Sequence, residues 1–331
     1  MTLALDLKDL TKQYNKQKKP ALKNVSLAIQ QGKVFSILGP NGAGKTTLIK
    51  LIIGIIYPTS GSGSILGLPI GSLASKKIVG YVPEQLRFPA MLTGQQTLKL
   101  FGHLSELHGR QLEKRIDSAL EHVQMTEHRH ALISSYSKGM LQRIGIAQAL
   151  LTDPKILFLD EPTDGIDPLG RIEIKRIIRS LNEQGTTIII NSHILTEVEQ
   201  ITDEYAILQS GMLIKQGAIK DISHGTAHYM IIVEKQPNTE GLHIEKVLAS
   251  CRDSFSLHYD PSNILHNDQT TFSFKAECTS TIHLNTLIDT LRSHNITICA
   301  IEPQHLDLES IFMTSLTQQN TFLAPNIDSR S

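Results

Sequence analysis

The residues best suited to chemistry lie at 39–46, where Gly39-Pro40-Asn41-Gly42-Ala43-Gly44-Lys45-Thr46 follows the spacing GxxxxGK[ST]. Glycine tolerates positive φ and close backbone approach, so successive N–H groups in such a loop can turn inward on an anion. The apolar run 34–38 before it reads as a buried strand, and 45–53 after it as a helix. A helix N-terminus adds partial positive charge where a phosphate would rest. In this pattern Lys45 reaches the β- and γ-phosphates and the Thr46 hydroxyl ligates Mg2+. A glycine-rich turn with an incidental lysine is the competing reading, and the strand–loop–helix placement tells against it. The expectation is a nucleoside triphosphate site that uses Mg2+.

A site of this kind needs an acid where a second buried strand ends. Ile156-Leu157-Phe158-Leu159 is wholly apolar and runs into Asp160-Glu161-Pro162. Asp160 suits the metal, directly or through water. Glu161 suits general-base work on an attacking water, because a metal neutralises Asp160 and leaves the next carboxylate to take a proton. Two solvated loop acids are not expected straight after so apolar a strand.

The elements that must hold these residues follow from the rest of the chain. Its 331 residues suffice for about two domains. Hydrophobic residues make up 40% and charged ones 19%, with a mean hydropathy of −0.09, which suits a globular chain with a real core. The longest apolar stretch, 48–57, is interrupted by Lys50, too short for a transmembrane helix. The start, Met1-Thr-Leu-Ala-Leu-Asp6, lacks the basic and apolar regions of a signal peptide, so a cytosolic protein is expected. Cys251, Cys278 and Cys299 are far apart and form no CxxC pair, and they read as small core residues. Residues 225–331 hold 6 Lys+Arg against 12 Asp+Glu, which gives −6 and leaves +6 on residues 1–224. An acidic second part argues against a nucleic-acid binder.

Over the first 220 residues, short apolar runs at 34–38, 156–159 and 186–190 each lead to a helical pattern, at 45–53, 169–181 and 195–201. That alternation is an α/β sheet with parallel strands buried on both faces. Val25, Leu27 and Ile29 alternate with polar residues, as in a half-exposed antiparallel strand. Between 91 and 151 strand signals vanish. Thr93 with Gln96 makes a capping box, Leu98, Phe101, Leu104, Ser105 and His108 follow at helical spacing, and a second helix is expected at 112–123. An all-helical subdomain is thus expected at about 88–152 within a domain spanning 1–224. From Thr226 the order becomes strand (229–233), helix (242–250), strand (255–259), strand (271–275), helix (282–291), strand (296–301), a split βαβ or ferredoxin-like arrangement. This α+β domain is expected at 225–317, with a short helix at 308–316 and a flexible polar tail at 318–331.

With these motifs in order, residues 1 to about 222 resemble the ATP-binding subunit of an ABC transporter. Tyr14 stands where that family stacks an aromatic ring on adenine, although on its own it would read as a packed surface residue. Gln85, in Tyr81-Val-Pro-Glu-Gln85, matches the Q-loop glutamine, which reaches Mg2+ or the attacking water. Ser135-Tyr136-Ser137-Lys138-Gly139-Met140-Leu-Gln142-Arg143 matches the signature motif in a variant of its LSGGQ form, and Gly165-Ile166-Asp167-Pro168 matches the D-loop. His193, in Asn191-Ser192-His193, matches the H-loop histidine that hydrogen-bonds the γ-phosphate. The resemblance makes Glu161, His193, Gln85 and Lys45 catalytic, and Thr46, Gln85 and Asp160 the Mg2+ residues. Nucleotide binding then falls to Tyr14, residues 39–47 with Thr47 included, and Ser137, Gly139 and Asp167.

The same resemblance implies how such a chain works. Two copies pack head to tail as a homodimer, and Ser137 and Gly139 of one cap the γ-phosphate held by Lys45 of the other. Hydrolysis removes the bridging phosphate and the dimer opens. YSKGM followed by Gln-Arg, and Leu308-Glu309-Ser310-Ile311-Phe312, are similar to bacterial exporter ATPases whose integral membrane permease is a separate chain. The chain is then expected at the cytoplasmic face of the membrane as a peripheral subunit. Phe88, Met91 and Leu92, in an apolar loop broken by Pro89, either line a groove for a permease helix or pack within the helical subdomain. The acidic C-terminal domain either holds the dimer or regulates it. The alternative is a soluble ABC ATPase with a regulatory role outside transport. His122, Glu127, His128 and His130 read as a solvated surface rather than a metal cluster, and Lys16, Lys18 and Lys19 as a hairpin tip.

Overall fold

The computed structural model describes residues 2–15, 19–223, 227–234, 271–278 and 281–304, with Leu308 and Phe312. The chain divides into two compact units, and the change of unit falls between Ile219 and Lys220.

The first unit opens with β1 (Leu3–Lys12), β2 (Leu22–Gln30) and β3 (Val34–Leu38), followed by α1 (Lys45–Ile52). Next come β4 (Ser60–Ile65), β5 (Leu68–Pro69), α2 (Leu73–Lys77) and β6 (Val79–Val82). The helices α3 (Gly94–Leu104), α4 (Gly109–His122) and α5 (Lys138–Leu150) follow without an intervening strand. The unit continues with β7 (Ile156–Asp160), α6 (Pro168–Glu183), β8 (Thr187–Ser192), α7 (Leu195–Glu199), β9 (Glu204–Gln209) and β10 (Met212–Ala218).

These strands form two sheets, a four-stranded antiparallel one ordered β2-β1-β4-β5 and a six-stranded one ordered β10-β9-β3-β8-β7-β6. In the second, every neighbouring pair is parallel except β10 with β9. Each residue of β3, β7 and β8 is buried, which is why these strands read as unbroken apolar runs. Alternate side chains enter opposite cores, as a pleated strand requires. Phe35, Ile37, Ile156, Phe158 and Ile189 join residues of α1, β1 and β2. Val34, Leu157, Leu159, Ile188 and Ile190 join residues of α3, α4, α5 and α6. The capping box is formed: Thr93 Oγ1 accepts from the Gln96 N–H at 3.2 Å, and Gln96 Oε1 accepts from the Thr93 N–H at 2.9 Å.

Two expectations shift. Strand β8 runs on to Ser192, so Asn191 belongs to the sheet, and the helical pattern at 195–201 yields only the short α7. In the loop after β6, Phe88 packs edge-on against Phe101 with ring centroids 5.7 Å apart, whereas Met91 is 81% exposed. Phe88 therefore packs within the helical subdomain and Met91 does not.

After a one-turn helix α8 (Ile219–Ser223), the second unit contains β11 (Ala227–Glu234), β12 (Thr271–Cys278), α9 (Thr281–Ser293) and β13 (Ile298–Gln304). Its sheet is ordered β12-β11-β13 with both pairings antiparallel. The first strand lies between the two that flank α9, as in a split βαβ sheet. Ile231, Val233, Phe274, Ala276, Leu287 and Leu291 form its core. The helix at 242–250, the strand at 255–259, the 318–331 tail and Cys251 lie outside the described residues. Cys278 is buried as expected, but Cys299 is exposed.

Candidate functional site

Strand β3 delivers the chain into the phosphate loop, and two glycines fix how it passes. A Cβ at Gly39 would lie 2.3 Å from the Leu208 carbonyl oxygen. At Gly44, where φ is +104°, it would lie 2.7 Å from the Ala21 carbonyl oxygen. Any side chain at either position would push the loop off β9 or off the start of β2. The loop is also pinned from behind, since the Gly211 N–H donates to the Ala43 carbonyl at 2.9 Å.

Lys45 is 6% exposed, and its Nζ donates to the carbonyls of Gly39 (2.7 Å) and Pro40 (3.2 Å). The ammonium thus rests on its own loop, which stays open in the middle. Burial lowers the Lys45 pKa, and the carboxylates of Glu161, Asp160 and Glu84 oppose that shift. The first turn of α1 carries no acidic residue, so nothing on the helix masks its positive end.

Opposite the loop, β7 and β8 end side by side. Asp160, 2% exposed, accepts from the Asn191 side-chain Nδ2, and the Tyr81 side chain is its neighbour. Burial pushes the Asp160 pKa up, against the Asn191 hydrogen bond. Tyr81 is pushed up to about 12 by burial and by the neighbouring Asp160 charge. Glu161 takes a left-handed φ of +50°, and its N–H donates to the Asn191 carbonyl at 2.8 Å. Its Oε2 lies 2.8 Å from His193 Nδ1 and accepts from the His193 backbone N–H at 3.3 Å. The tip of β8 therefore grips both acids: Asn191 holds Asp160, and His193 holds Glu161.

These elements surround a cavity of about 510 Å³ lined by residues 41–47, Glu84, Glu161, Asn191, Ser210 and Gly211, with Tyr14 and Lys19 at its side. The ring of Tyr14 carries the Lys12 ammonium 5.2 Å from its centroid. The hard oxygens of Thr46 and Asp160 suit Mg2+, which is commonly held by one or two carboxylates together with substrate phosphates rather than by an all-protein cage. Among the described residues no group of three His, Cys, Asp or Glu could hold a metal unaided, and the histidines at 122, 128 and 130 are no exception.

Several expected site residues are not part of the cavity lining, among them Gly39, Pro40, Gln85, Asp160 and His193. Glu84 and Gln85 are both exposed; of the two Glu84 lines the cavity, and its charge acts on Lys45 and Asp160. After Pro83 the chain leaves β6, and strand alternation no longer says which of two adjacent polar residues turns inward. Asn191 is a second residue that the sequence reading passed over.

Ser137, Gly139 and Asp167 also lie outside the cavity lining. Ser137 Oγ caps α5 by accepting the Met140 N–H at 3.2 Å, and Asp167 Oδ1 caps α6 by accepting the Gly170 N–H at 2.9 Å. The two turns touch: Lys138 Nζ is 3.2 Å from Asp164 Oδ2, and a Cβ at Gly139 would meet Ile166 at 3.4 Å. The signature turn and the D-loop thus lie against each other, and none of Ser137, Gly139 and Asp167 lines the phosphate cavity.

Residues 22–164 match the family model described as ABC transporter. An uncharacterized ABC transporter ATP-binding protein of Synechocystis is 44% identical over 66% of this chain and 62% of its own length. The Nod factor export ATP-binding protein I of Rhizobium meliloti is 36% identical over 65% of this chain and 64% of its own. The bacitracin transport ATP-binding protein BcrA of Enterococcus faecalis is 36% identical over 69% and 74%. The chain thus spans about two thirds of the length of these relatives. Among solved structures, cbiO1 of Clostridium perfringens, part of an ABC transporter complex, aligns with a TM-score of 0.61 at 31% identity, over 67% of this chain and 91% of that one. A dimeric ATP-binding cassette bound to ADP and Pi aligns with a TM-score of 0.58 at 26% identity, over 65% and 98%. Family model, relatives and fold agree with the geometry around Lys45, Asp160 and Glu161, and the chain belongs to the ABC transporter ATP-binding proteins, with an ABC ATPase domain in its first unit.

Proposed function

We propose that this chain is the ATP-hydrolysing subunit of an exporter, working as a head-to-tail homodimer beneath a separately encoded membrane permease. The observation that carries the reading is the division of the machinery. Residues 41–47, Glu161 and Asn191 line one cavity, with Asp160 bonded to Asn191 and His193 to Glu161, while Ser137, Gly139 and Asp167 stand at the starts of other helices of the same unit and do not line it. A second copy brings those residues to the cavity, and the C2 arrangement makes two equal sites.

In this reading Lys45 leaves the carbonyls of Gly39 and Pro40 for the β- and γ-phosphates, and the loop N–H groups hold the remaining oxygens. Tyr14 presents a ring face to the base, and Thr47 lines the nucleotide's path. Mg2+, when bound through Thr46 and Asp160, neutralises phosphate charge. Glu161 takes the proton of the attacking water, held by His193 in the orientation that the 2.8 Å contact fixes. Gln85 reaches Mg2+ or the attacking water, with Glu84 lining the cavity beside it. Ser137 and the N–H groups at Gly139 bring the positive end of α5 to the γ-phosphate of the other copy.

Among the described residues no helix is long and apolar enough to cross a membrane, so translocation falls to a partner. Export is supported by the Rhizobium relative named for Nod factor export. The second unit stabilises or regulates the dimer. The test is light scattering of the Glu161→Gln protein with Mg2+ and ATP, beside the concentration dependence of wild-type ATPase. A dimer with ATP and a monomer without it are expected. A variant that stays monomeric, with wild-type turnover independent of concentration, overturns the reading.

A further inference from the structure

The tip of β8 holds a polar side chain with a spare atom. Asn191 is 1% exposed and stands opposite Asp160 in the parallel register of β7 and β8. Its Nδ2 donates to Asp160 Oδ1, and its backbone carbonyl accepts from Glu161. Its Oδ1, equally buried, has no partner, although the residue lines the phosphate cavity. A buried amide oxygen left without a donor is costly, so native structures rarely keep one unless something outside the chain completes it. The two residues bonded to Asn191 supply no donor, for the side chains of Asp160 and Glu161 bring acceptors only.

We propose that Asn191 is a positioning residue for the cation half of the site. Its Nδ2 fixes the carboxylate of Asp160 in the orientation that meets the metal, and its Oδ1 accepts a hydrogen bond from a water on that metal. This rests on the reading of the cavity as a Mg2+–nucleotide site. Mg2+ gives up its waters reluctantly, so a water-accepting group beside a single carboxylate suits it better than another direct ligand. Asn191 does this from the strand that also carries His193, so the same β8 tip sets both the metal's acid and the base.

The experiment measures the affinity of a fluorescent ATP analogue with Mg2+ and with EDTA, for the wild type, Asn191→Leu and Asn191→Ser. Leucine keeps the size and removes both polar atoms, and serine is too short to reach Asp160 and adds no apolar bulk. Groups that orient metal ligands typically contribute 10–100-fold to metal affinity. Both variants are expected to lose about tenfold or more of the affinity gained with Mg2+ and to keep the EDTA value. A merely structural role would weaken binding in both buffers equally, and that result overturns the proposal, as does full retention of the Mg2+ gain. If one variant fails to fold, the other decides. A wild type with no Mg2+-dependent gain overturns the nucleotide reading itself.

Discussion

Removing the imidazole of His193 tests whether the proton-accepting carboxylate is held in place by its neighbour. Alanine at 193 deletes the 2.8 Å ring contact to Glu161 Oε2 and keeps the backbone donor at 3.3 Å. A hydrogen bond to a charged group contributes ~1.5–3 kcal/mol. The His193 side chain is 47% exposed, so solvent competes and about 1–2 kcal/mol is the working figure. At about 1.36 kcal/mol per decade, His193→Ala lowers kcat ~5–30-fold. Glu161→Gln removes the base and lowers kcat by ~10²–10⁴. Glutamine is no more branched at Cβ than glutamate, so the left-handed backbone at 161 gains no strain. If His193 acts through Glu161, adding His193→Ala to Glu161→Gln costs less than about twofold more, because there is no base left to orient. The assay is phosphate release at saturating ATP and Mg2+ for the wild type, both single variants and the double variant, with circular dichroism as the control for folding. A double variant slowed by the full single-variant factor would mean that the histidine serves the phosphate directly, and the positioning argument would fail.

Other consequences are equally open to measurement. Burial raises the Asp160 pKa, so the folded chain keeps that proton to higher pH than the unfolded chain, and this part of its stability is lost as pH rises through the folded value. Asp160→Asn should therefore raise the Tm of the nucleotide-free protein at neutral pH and lose that advantage below the ordinary carboxylate value of ~3.9; an equal shift at both pH values refutes it. In the loop after β6, Phe88→Asp removes a ring partly buried against Phe101 and the helical core and should cost ~1–3 kcal/mol, well above the effect of the same change at Met91. Met91→Asp, on a side chain 81% exposed, should change stability by no more than ~0.5 kcal/mol, leave basal ATPase intact and weaken co-purification with the permease. Full co-purification of that variant would move the docking surface elsewhere.

The phosphate loop was legible because its chemistry is local: eight consecutive residues carry the glycines, the lysine and the hydroxyl. The Asp160–Glu161 pair was legible because a strand buried on both faces leaves an unmistakable apolar run before it. What the reading missed depends on neighbours distant in sequence. Asn191 gains its meaning from Asp160 across the β7–β8 pairing, which no local pattern reveals. Ser60–Ile65, reading Ser-Gly-Ser-Gly-Ser-Ile, has the composition of a loop yet forms β4, because β1 offers it a partner edge. That Glu84 lines the cavity and Gln85 does not follows from the course of the chain after Pro83, a property of the folded turn.

The seat of the phosphate loop also orders events in time. Gly211 lies between β9 and β10, yet it braces Ala43 from behind, and its carbonyl accepts from Lys23 at 2.8 Å. The triphosphate cradle is thus written early in the message and finished late. At ~5–20 residues per second, a ribosome needs about 10–40 s to reach that glycine. Until then the nascent segment carries the anion-binding letters without the backing that gives them shape, so nucleotide capture belongs to a nearly completed first unit.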